Sequence, residues 1–254
     1  MSVKRLVWVA ALLVACNTTD PEVDVGGADV ADVLMVDLAL DQGADAPVCD
    51  PADLVNQVDP ARIATDLTWL TEQPGRTTQK EQAAVAAHLK AELEKVAGLT
   101  VSEQSYTHLG EPYVNLVADI PGTTKKDHFV MAGAHYDTFA SSPGADDNAS
   151  GTAAVVEAAR VLAACPGKKS IRLVLFSNKH SVGSTAFVAQ LKTEVPPARM
   201  AGFLNVDMVG FGPADEDLDL ATRLEHEAFA TDVKAAIDTS GVVPTTTFVG
   251  NHCG

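Results

Sequence analysis

Basic residues are scarce in this chain of 254 residues, which contains 18 lysines and arginines against 34 aspartates and glutamates. The formal net charge is -16, and residues 17–59 contribute 11 acidic side chains without a single lysine or arginine. Recognition of a phosphate backbone needs a basic face. The composition therefore argues against nucleic acid as a partner and assigns most of the acidity to solubility and spacing.

Cysteines are also few, with one each at positions 16, 49, 165 and 253. If Cys16 carries a lipid, three remain, so at most one internal disulfide bond can form in an oxidising compartment. The spacing of Cys49, Cys165 and Cys253 is not that of a zinc finger, and no chemistry is assigned to them. A GxSxG motif is also missing, which excludes the serine-hydrolase elbow.

Residues 1–16 have the pattern of an export signal. Lys4 and Arg5 precede a short apolar run, and the sequence LVAC, which resembles a bacterial lipobox, ends at Cys16. The run is too short to span a bilayer. We therefore expect lipidation at Cys16 and an exported lipoprotein anchored to a membrane of the bacterial cell envelope. A buried strand is the alternative, and these flanks disfavour it.

Residues 17–48 combine acidic side chains with alanine, glycine and valine, a composition that predicts a disordered acidic tether. Residues 49–254 have the length and apolar content of one domain.

Periodic patterns in this domain predict alternating helices and strands. Asp59 and Pro60 begin a first helix, and Thr78 with Glu81 forms a capping box for a second. His88 on the second helix is predicted to be a surface or packing residue. Strands are predicted near 100–107, 113–120, 128–135, 171–176, 201–208 and 245–249, and further helices at 151–166 and 222–237. This alternation predicts an α/β fold in three layers, with helices on both faces of a mixed, mostly parallel central sheet.

The stretch HYDTFASSPGADDNASG, residues 135–151, carries the candidate chemistry. An apolar strand pattern delivers His135 and Asp137 at its C-terminal end, and Asp147 follows just before a helix start. Ligand sites of α/β sheets lie at this edge. Histidine and aspartate suit zinc, and Asp137 is placed to orient His135 through the second ring nitrogen. The alternative, a solvated acidic loop, is disfavoured by the GADDNASG run.

This stretch resembles the metal-binding core of the di-zinc bacterial leucyl aminopeptidases, a family that includes the glutaminyl cyclases and the non-catalytic ectodomain of transferrin receptor. NLVADIPG and FVMAGAHYDT are similar to the two strands before the family's site, TAAVVEAARVLA to its next helix, and NVDMVG to a strand that bears a further ligand. The resemblance covers most of residues 60–210. It implies an α/β fold of the zinc-exopeptidase type.

The resemblance also implies a role for each residue of the site. In the family, two zinc ions share a bridging carboxylate and polarise the scissile carbonyl. Asp147 occupies the bridging position in the DxxSG part of the motif, and His135 and Asp207 complete one metal site. Asp146 and Asp217 are further carboxylates, for which solvation or backbone capping is the favoured interpretation.

The second metal site departs from the family pattern. Where the family carries two adjacent glutamates, a general base and a metal ligand, this chain has Lys179 and His180. His180 can replace a zinc ligand because neutral imidazole binds zinc. Lys179 is a poor replacement for the base. Each positive charge of a metal ion ~4 Å away would repel its ammonium group by roughly 4 kcal/mol, so the group would weaken metal binding or turn away. A buried lysine that has lost its proton is the alternative.

The last family ligand is a histidine near the C-terminus, and GNHCG at 250–254 offers His252. The family's fold continues past that histidine, whereas this chain stops two residues later. Two alternatives stay open, a ligand at His252 in a truncated domain or a motif that would follow Gly254.

The sequence predicts an exported lipoprotein with a zinc aminopeptidase-like domain. The implied reaction is metal-dependent removal of N-terminal amino acids from peptides, weakened or lost because Lys179 and His180 replace the glutamate pair. One zinc site is expected, and the neighbouring site is incomplete. The alternative function is a non-catalytic, metal-containing module that binds a peptide or a protein partner.

We expect the mature protein to begin at Cys16 and to fractionate with membranes. Cys16→Ser should move the protein from the membrane pellet to the soluble fraction, because the thiol that receives the lipid is gone. Immunoblots of fractionated cells measure this distribution. Recovery of Cys16→Ser in the pellet in unchanged amount would contradict the prediction.

Overall fold

The structure, a computed structural model, describes residues 51–73, 75–140, 142–178, 181–210, 218–222, 227–240 and 246–250. The predicted signal segment and tether lie outside the described residues. None of the helices in the described part of the chain is long and apolar enough to cross a membrane.

Within the described residues the chain forms six α-helices and seven β-strands. The helices are α1 (Pro51–Asn56), α2 (Pro60–Glu72), α3 (Gln79–Glu94), α4 (Gly151–Ala163), α5 (Val182–Glu194) and α6 (Glu227–Ser240). The strands are β1 (Thr100–His108), β2 (Glu111–Ile120), β3 (Lys125–His135), β4 (Lys169–Phe176), β5 (Met200–Asn205), β6 (Leu218–Thr222) and β7 (Thr246–Gly250). An irregular helical turn, Ala145–Ser150, precedes α4, and a 3-10 turn, Pro197–Arg199, precedes β5.

The first two long helices begin where the sequence predicts. The Asp59 side chain accepts a hydrogen bond from the backbone N–H of Ala61, with a proline at the first helical position. In α3 the capping box of Thr78 and Glu81 is complete. The ring of His88 stacks on that of Trp69, with 3.4 Å between ring centroids, so His88 is a packing residue between α3 and α2.

Strands β1 to β5 form one mixed sheet in the order β1-β2-β4-β3-β5. β3 is parallel to both β4 and β5, whereas β2 is antiparallel to β1 and to β4. Four of these five strands therefore point in the same direction. β6 and β7 pair in parallel in a separate two-stranded sheet. The predicted α/β fold with a mixed, mostly parallel sheet is confirmed.

Apolar side chains cover both faces of the sheet, which creates three layers. One face packs against α2, α3 and α4, and β3 contributes Ala132 and Ala134 to it. The other face packs against α5, where Met131 and Val174 of the sheet contact a cluster that contains Phe187. Successive strand residues point to opposite faces. A strand covered on both sides is therefore apolar throughout, as β4 largely is.

The hairpin between β1 and β2 turns through Leu109 and Gly110. Both residues have positive φ, 50° and 84°, as expected for a two-residue turn that matches the twist of its strands. Because β2 is antiparallel to β4, the hairpin tip lies at the edge of the sheet where β4 ends. Leu109 is 90% exposed there.

Two predicted boundaries were wrong. The strand predicted at 201–208 ends at Asn205, because the chain turns away at Met208, which has a φ of 52°. The helix predicted at 222–237 begins at Glu227, and the preceding Leu218–Thr222 is strand β6. The partner of β6 is β7, more than twenty residues further on, so no local pattern could reveal the pairing.

A buried ionic network joins α4 to α2. The carboxylate of Glu157 is fully buried and accepts hydrogen bonds from Nε of Arg62 at 2.9 Å and Nη2 at 2.5 Å. The backbone N–H of Asp59 donates to the same carboxylate at 2.8 Å, and Arg160 lies 3.4 Å from it. These donors offset the cost of burying the charge.

We expect Arg62→Met to lower the free energy of unfolding by about 1–3 kcal/mol, because Glu157 stays buried and loses two of its donors. Denaturant-induced unfolding measures the change. Lys90→Met is the matched control, since its contact with Glu103 is exposed and should contribute little. Equal stability of Arg62→Met and the parent protein would contradict the prediction.

Candidate metal centre

Three predicted ligands meet at the carboxyl edge of the sheet. His135 is the last residue of β3, and Asp207 follows β5 by two residues. Because β3 and β5 are parallel neighbours, these residues leave the sheet side by side. Asp147 lies in the turn before α4. One ligand atom from each of the three lies within 4.8 Å of the other two.

The imidazole of His135 lies between the two carboxylates. Its Nε2 is 3.1 Å from Oδ1 of Asp147 and 3.4 Å from Oδ1 of Asp207. The His135 side chain is 12% exposed, whereas that of Asp207 is 39% exposed. The group is therefore buried on the histidine side and open to solvent on the Asp207 side.

Asp137 lies behind the imidazole. Nδ1 of His135 is 3.1 Å from the backbone carbonyl oxygen of Asp137 and 3.4 Å from its Oδ1. The backbone carbonyl oxygen and an ionised carboxylate oxygen are both acceptors and cannot donate. This arrangement favours the tautomer with the proton on Nδ1, which leaves the lone pair of Nε2 directed at the two other carboxylates.

The charges around His135 favour a cation. Burial alone would lower the pKa of His135, but the nearby carboxylates of Asp137 and Asp207 outweigh burial and raise the pKa to about 9. Although Nε2 is buried, it makes no hydrogen bond of acceptable geometry. One histidine nitrogen and two carboxylates are ligands that zinc accepts. The residues thus fit a divalent metal ion, and the group is compatible with zinc.

Asn148 links the two loops that carry the aspartates. Its side-chain amide donates to the carbonyl oxygen of Val206 at 2.8 Å, and its Oδ1 accepts from the backbone N–H of Gly151 at 2.9 Å. The backbone N–H of Met208 lies 3.4 Å from the same oxygen. Asn148 therefore binds Asp147's loop to the residues on either side of Asp207.

Two neighbours of Asn148 strengthen this link. The Oγ of Ser150 donates to the carbonyl oxygen of Asp146 and accepts from the backbone N–H of Val209. The carboxylate of Asp146 accepts from the backbone N–H of Gly210 at 2.8 Å. Asp146 thus caps backbone, the role favoured for it from sequence.

Glycine is required at the start of α4 because the two loops approach so closely. A Cβ at Gly151 would lie 2.4 Å from Oδ1 of Asn148 and 2.4 Å from the carbonyl oxygen of Val206. Real Cβ atoms do not approach other heavy atoms so closely. The glycine of the DxxSG motif therefore has a packing function in addition to opening the helix.

Arg76 is a residue of this region that sequence reasoning missed. Its side chain is buried and donates to four backbone carbonyl groups around the ligand loop. In the sequence it follows Pro74 and Gly75, a context typical of an exposed basic residue. No local signal predicts its burial, whereas Asn148, next to Asp147, could have been singled out from the motif.

The sequence family follows from comparison with known proteins. Residues 115–253, more than half of the chain, match Peptidase family M28. The chain belongs to this family. Leupeptin-inactivating enzyme 1 of Streptomyces exfoliatus is 31% identical to it over 163 residues, which are 61% of this chain and 36% of that protein. The M28 chain thus spans about a third of that relative.

Solved structures share the fold of this M28 domain. The aminopeptidase LapA of Legionella pneumophila matches with a TM-score of 0.66 and 22% identity, over 80% of this chain and 56% of that one. A glutaminyl cyclase of Fimbriiglobus ruber matches with a TM-score of 0.51 and 18% identity, over 65% of this chain and 66% of that one. The resemblance to aminopeptidases and glutaminyl cyclases is confirmed.

Several predicted positions of the M28 site lie outside the described residues. These are Lys179, His180, Asp217, His252 and the lipidation position Cys16. The residues on both sides of Lys179 and His180 are described. Phe176 at the end of β4 pairs with His135, so the chain leaves the sheet beside the metal group. The backbone N–H of Asn178 then donates to Gln82 of α3 at 3.0 Å.

Proposed function

We propose that this chain is an exported lipoprotein whose M28 domain binds zinc through His135, Asp147 and Asp207. The observation that carries the proposal is the convergence of these three side chains at the carboxyl edge of the sheet. Asp137 fixes the imidazole of His135 in the orientation that presents Nε2 to the ion. When bound, zinc supplies polarisation of a carbonyl group and a lowered pKa for water.

The reaction we propose is removal of N-terminal amino acids from peptides. Support comes from membership of family M28 and from the aminopeptidases that share the fold. The 39% exposure of the Asp207 side chain leaves that side of the metal group accessible to a peptide. The imidazole of His135, which is 12% exposed, closes the opposite side.

Lys179 is the reason to propose a slow reaction. Because β4 ends beside His135, the loop that follows β4 begins next to the proposed zinc site. The family's glutamate pair belongs to this loop, and Lys179 and His180 stand in its place. A cation cannot accept a proton from water as a carboxylate does, and loss of a general base costs ~10²–10⁴ in rate.

The same substitution favours a second candidate function, a non-catalytic module that binds a peptide or protein partner. Such a module would keep the metal group as a binding element without the proton transfer. Substrate turnover separates the two candidates, because both bind zinc and only the enzyme releases amino acids.

The proposed location is a membrane surface in the bacterial cell envelope. Support comes from the LVAC sequence at Cys16 and from the disulfide bond that Cys165 forms. Disulfide bonds persist in oxidising compartments outside the cytosol.

For the purified domain, we expect close to one tightly bound zinc ion per chain. Asp207→Ala should weaken zinc binding by at least about 100-fold, since even the loss of a residue that only orients a ligand weakens metal binding by about 10- to 100-fold. Elemental analysis and competition with a chelating dye measure the stoichiometry and the affinity. Asp127→Ala is the matched control, because Asp127 is exposed and contacts His128 and Arg199 rather than the metal group. Two equally tight zinc ions would contradict the single-site prediction and favour an active enzyme.

Aminopeptidase turnover by the unmodified protein should be very low. The double substitution Lys179→Glu with His180→Glu should raise it by about 10²-fold or more, because it restores a proton acceptor beside the metal. Release of a chromophore from leucyl substrates measures turnover, and Lys192→Glu is the control for reversal of a lysine charge at an exposed position. Rapid, zinc-dependent hydrolysis by the unmodified protein would show that another group is the base.

A further inference from the structure

Arg76 has a buried guanidinium group that contacts only uncharged acceptors directly. The residue is 1% exposed and is among the large, fully buried side chains of the described part of the chain. Nε donates to the carbonyl oxygen of Tyr136 at 2.8 Å, Nη1 to those of Leu70 and Pro143 at 2.6 and 2.9 Å, and Nη2 to that of Gly144 at 2.9 Å. A single guanidinium group thus donates four hydrogen bonds.

The four carbonyl groups belong to three separate segments. Leu70 lies in the last turn of α2, and Tyr136 lies between the ligand His135 and its neighbour Asp137. The carbonyl oxygens of residues 143 and 144 lie just before the turn that carries Asp147. Arg76 therefore joins the strand end that provides one metal ligand to the loop that provides the next.

The backbone of Arg76 completes this junction. Its carbonyl oxygen accepts from the N–H of Thr138 at 3.3 Å, and Oγ1 of Thr138 donates to the carbonyl oxygen of Asp147 at 2.9 Å. The carbonyl oxygen of Gly144 accepts from the N–H of Ala149 as well. Contacts from Arg76 thus reach the chain on both sides of the ligand loop.

The loop is shaped to receive the guanidinium group. Gly144 has a φ of 60°, and a Cβ at that position would lie 2.5 Å from Nη2 of Arg76 and 2.2 Å from Oγ1 of Thr138. A side chain of any size at residue 144 would displace Arg76. The close contact and the left-handed backbone both require glycine here.

The positive charge of Arg76 interacts with the carboxylates of Asp137 and Asp147. Burial lowers the pKa of Arg76 to about 10, opposed by the negative charges of Asp137 and Asp147, so the group is a cation at neutral pH. Burial of a cation without an adjacent anion is costly. An apolar side chain would avoid that cost but could not hold four carbonyl groups, and a lysine has one nitrogen in place of a planar fork.

We propose that Arg76 is a positioning residue of the metal centre, which fixes the spacing between His135 and Asp147 before the metal binds. The inference rests on the proposed zinc site. A metal site with fixed ligands binds more tightly than one that must order a loop, because the entropy of ordering is not lost on binding. Loss of Arg76 should therefore lower the affinity for zinc, which a loss of stability elsewhere in the domain should not do.

The test compares Arg76→Met and Arg76→Lys with Arg62→Met. Arg62 is the matched control, since it is an arginine of α2 that donates to the carboxylate of Glu157 and the carbonyl oxygen of Gln57 and contacts none of the ligand segments. Zinc affinity is measured by competition with a chelating dye, and stability by denaturant unfolding. Exchange of the Ala149 amide hydrogen in zinc-free protein reports the order of the ligand loop.

Both Arg76 variants should bind zinc about 10- to 100-fold more weakly than the parent, and the Ala149 amide should exchange faster. The lysine variant should resemble the methionine variant, because the fork rather than the charge holds the loop. Arg62→Met should keep the parent's zinc affinity despite its lower stability.

Parent-like zinc affinity in both Arg76 variants would overturn the inference, as would an equal loss of affinity in Arg62→Met. Parent-like affinity in Arg76→Lys alone would assign the effect to charge and overturn the positioning role. If neither Arg76 variant folds while Arg62→Met does, Arg76 supports the whole domain and the inference also fails. Should the parent bind no zinc, the proposed function fails, and amide exchange alone then decides the role of Arg76.

Discussion

Parallel pairing of β3 with β5 is the constraint on which the candidate metal group of His135, Asp147 and Asp207 depends. Parallel strands end at the same edge of a sheet, so two residues from distant parts of the chain, His135 and Asp207, leave the sheet next to each other. The pairing of β3 with β4 adds the loop after Phe176 to the same place. A shift in either register would move these residues apart along the strands. The apolar layers on both faces, which fix the register, thereby fix the geometry of the site.

Hydrogen bonds from side chains to backbone do the remaining positioning. The ligand Asp147 does not lie on a strand, and its loop is held by buried polar side chains on two sides. Asn148 and Ser150 bind it to the loop after β5, and Arg76 binds it to the end of β3. A buried polar group is stable only when it is hydrogen-bonded. The hydrogen bonds that satisfy these buried side chains therefore also hold the backbone segments that they contact.

The features that the sequence predicted correctly are those with a local or a motif-based cause. The caps at Asp59 and Thr78 depend on neighbours within three residues, and the strand that ends at His135 is marked by its own apolar run. The proximity of His135, Asp147 and Asp207 was expected from family resemblance alone, since no pattern of spacing shows that residue 207 reaches residue 135, and their role as metal ligands stays a prediction.

The features that were missed depend on contacts between distant residues. Arg76 donates to carbonyl groups that are sixty or more residues away, and nothing in the sequence around it distinguishes a buried arginine from a solvated one. The strand β6 forms by pairing with β7, more than twenty residues further along the chain. Amino-acid preferences act over a few residues, whereas these positions are determined by the folded neighbourhood.

The hairpin of β1 and β2 has a practical consequence for handling the molecule. Its tip carries an exposed Leu109, and no atom lies near the position of a Cβ at Gly110. The tip extends from the same edge of the sheet as the metal group but belongs to strands two or more positions away from β3. A fluorophore or an affinity label attached at Leu109 would therefore project from the sheet edge that bears the candidate metal group, without altering β3 or β5, the strands that lead to His135 and Asp207.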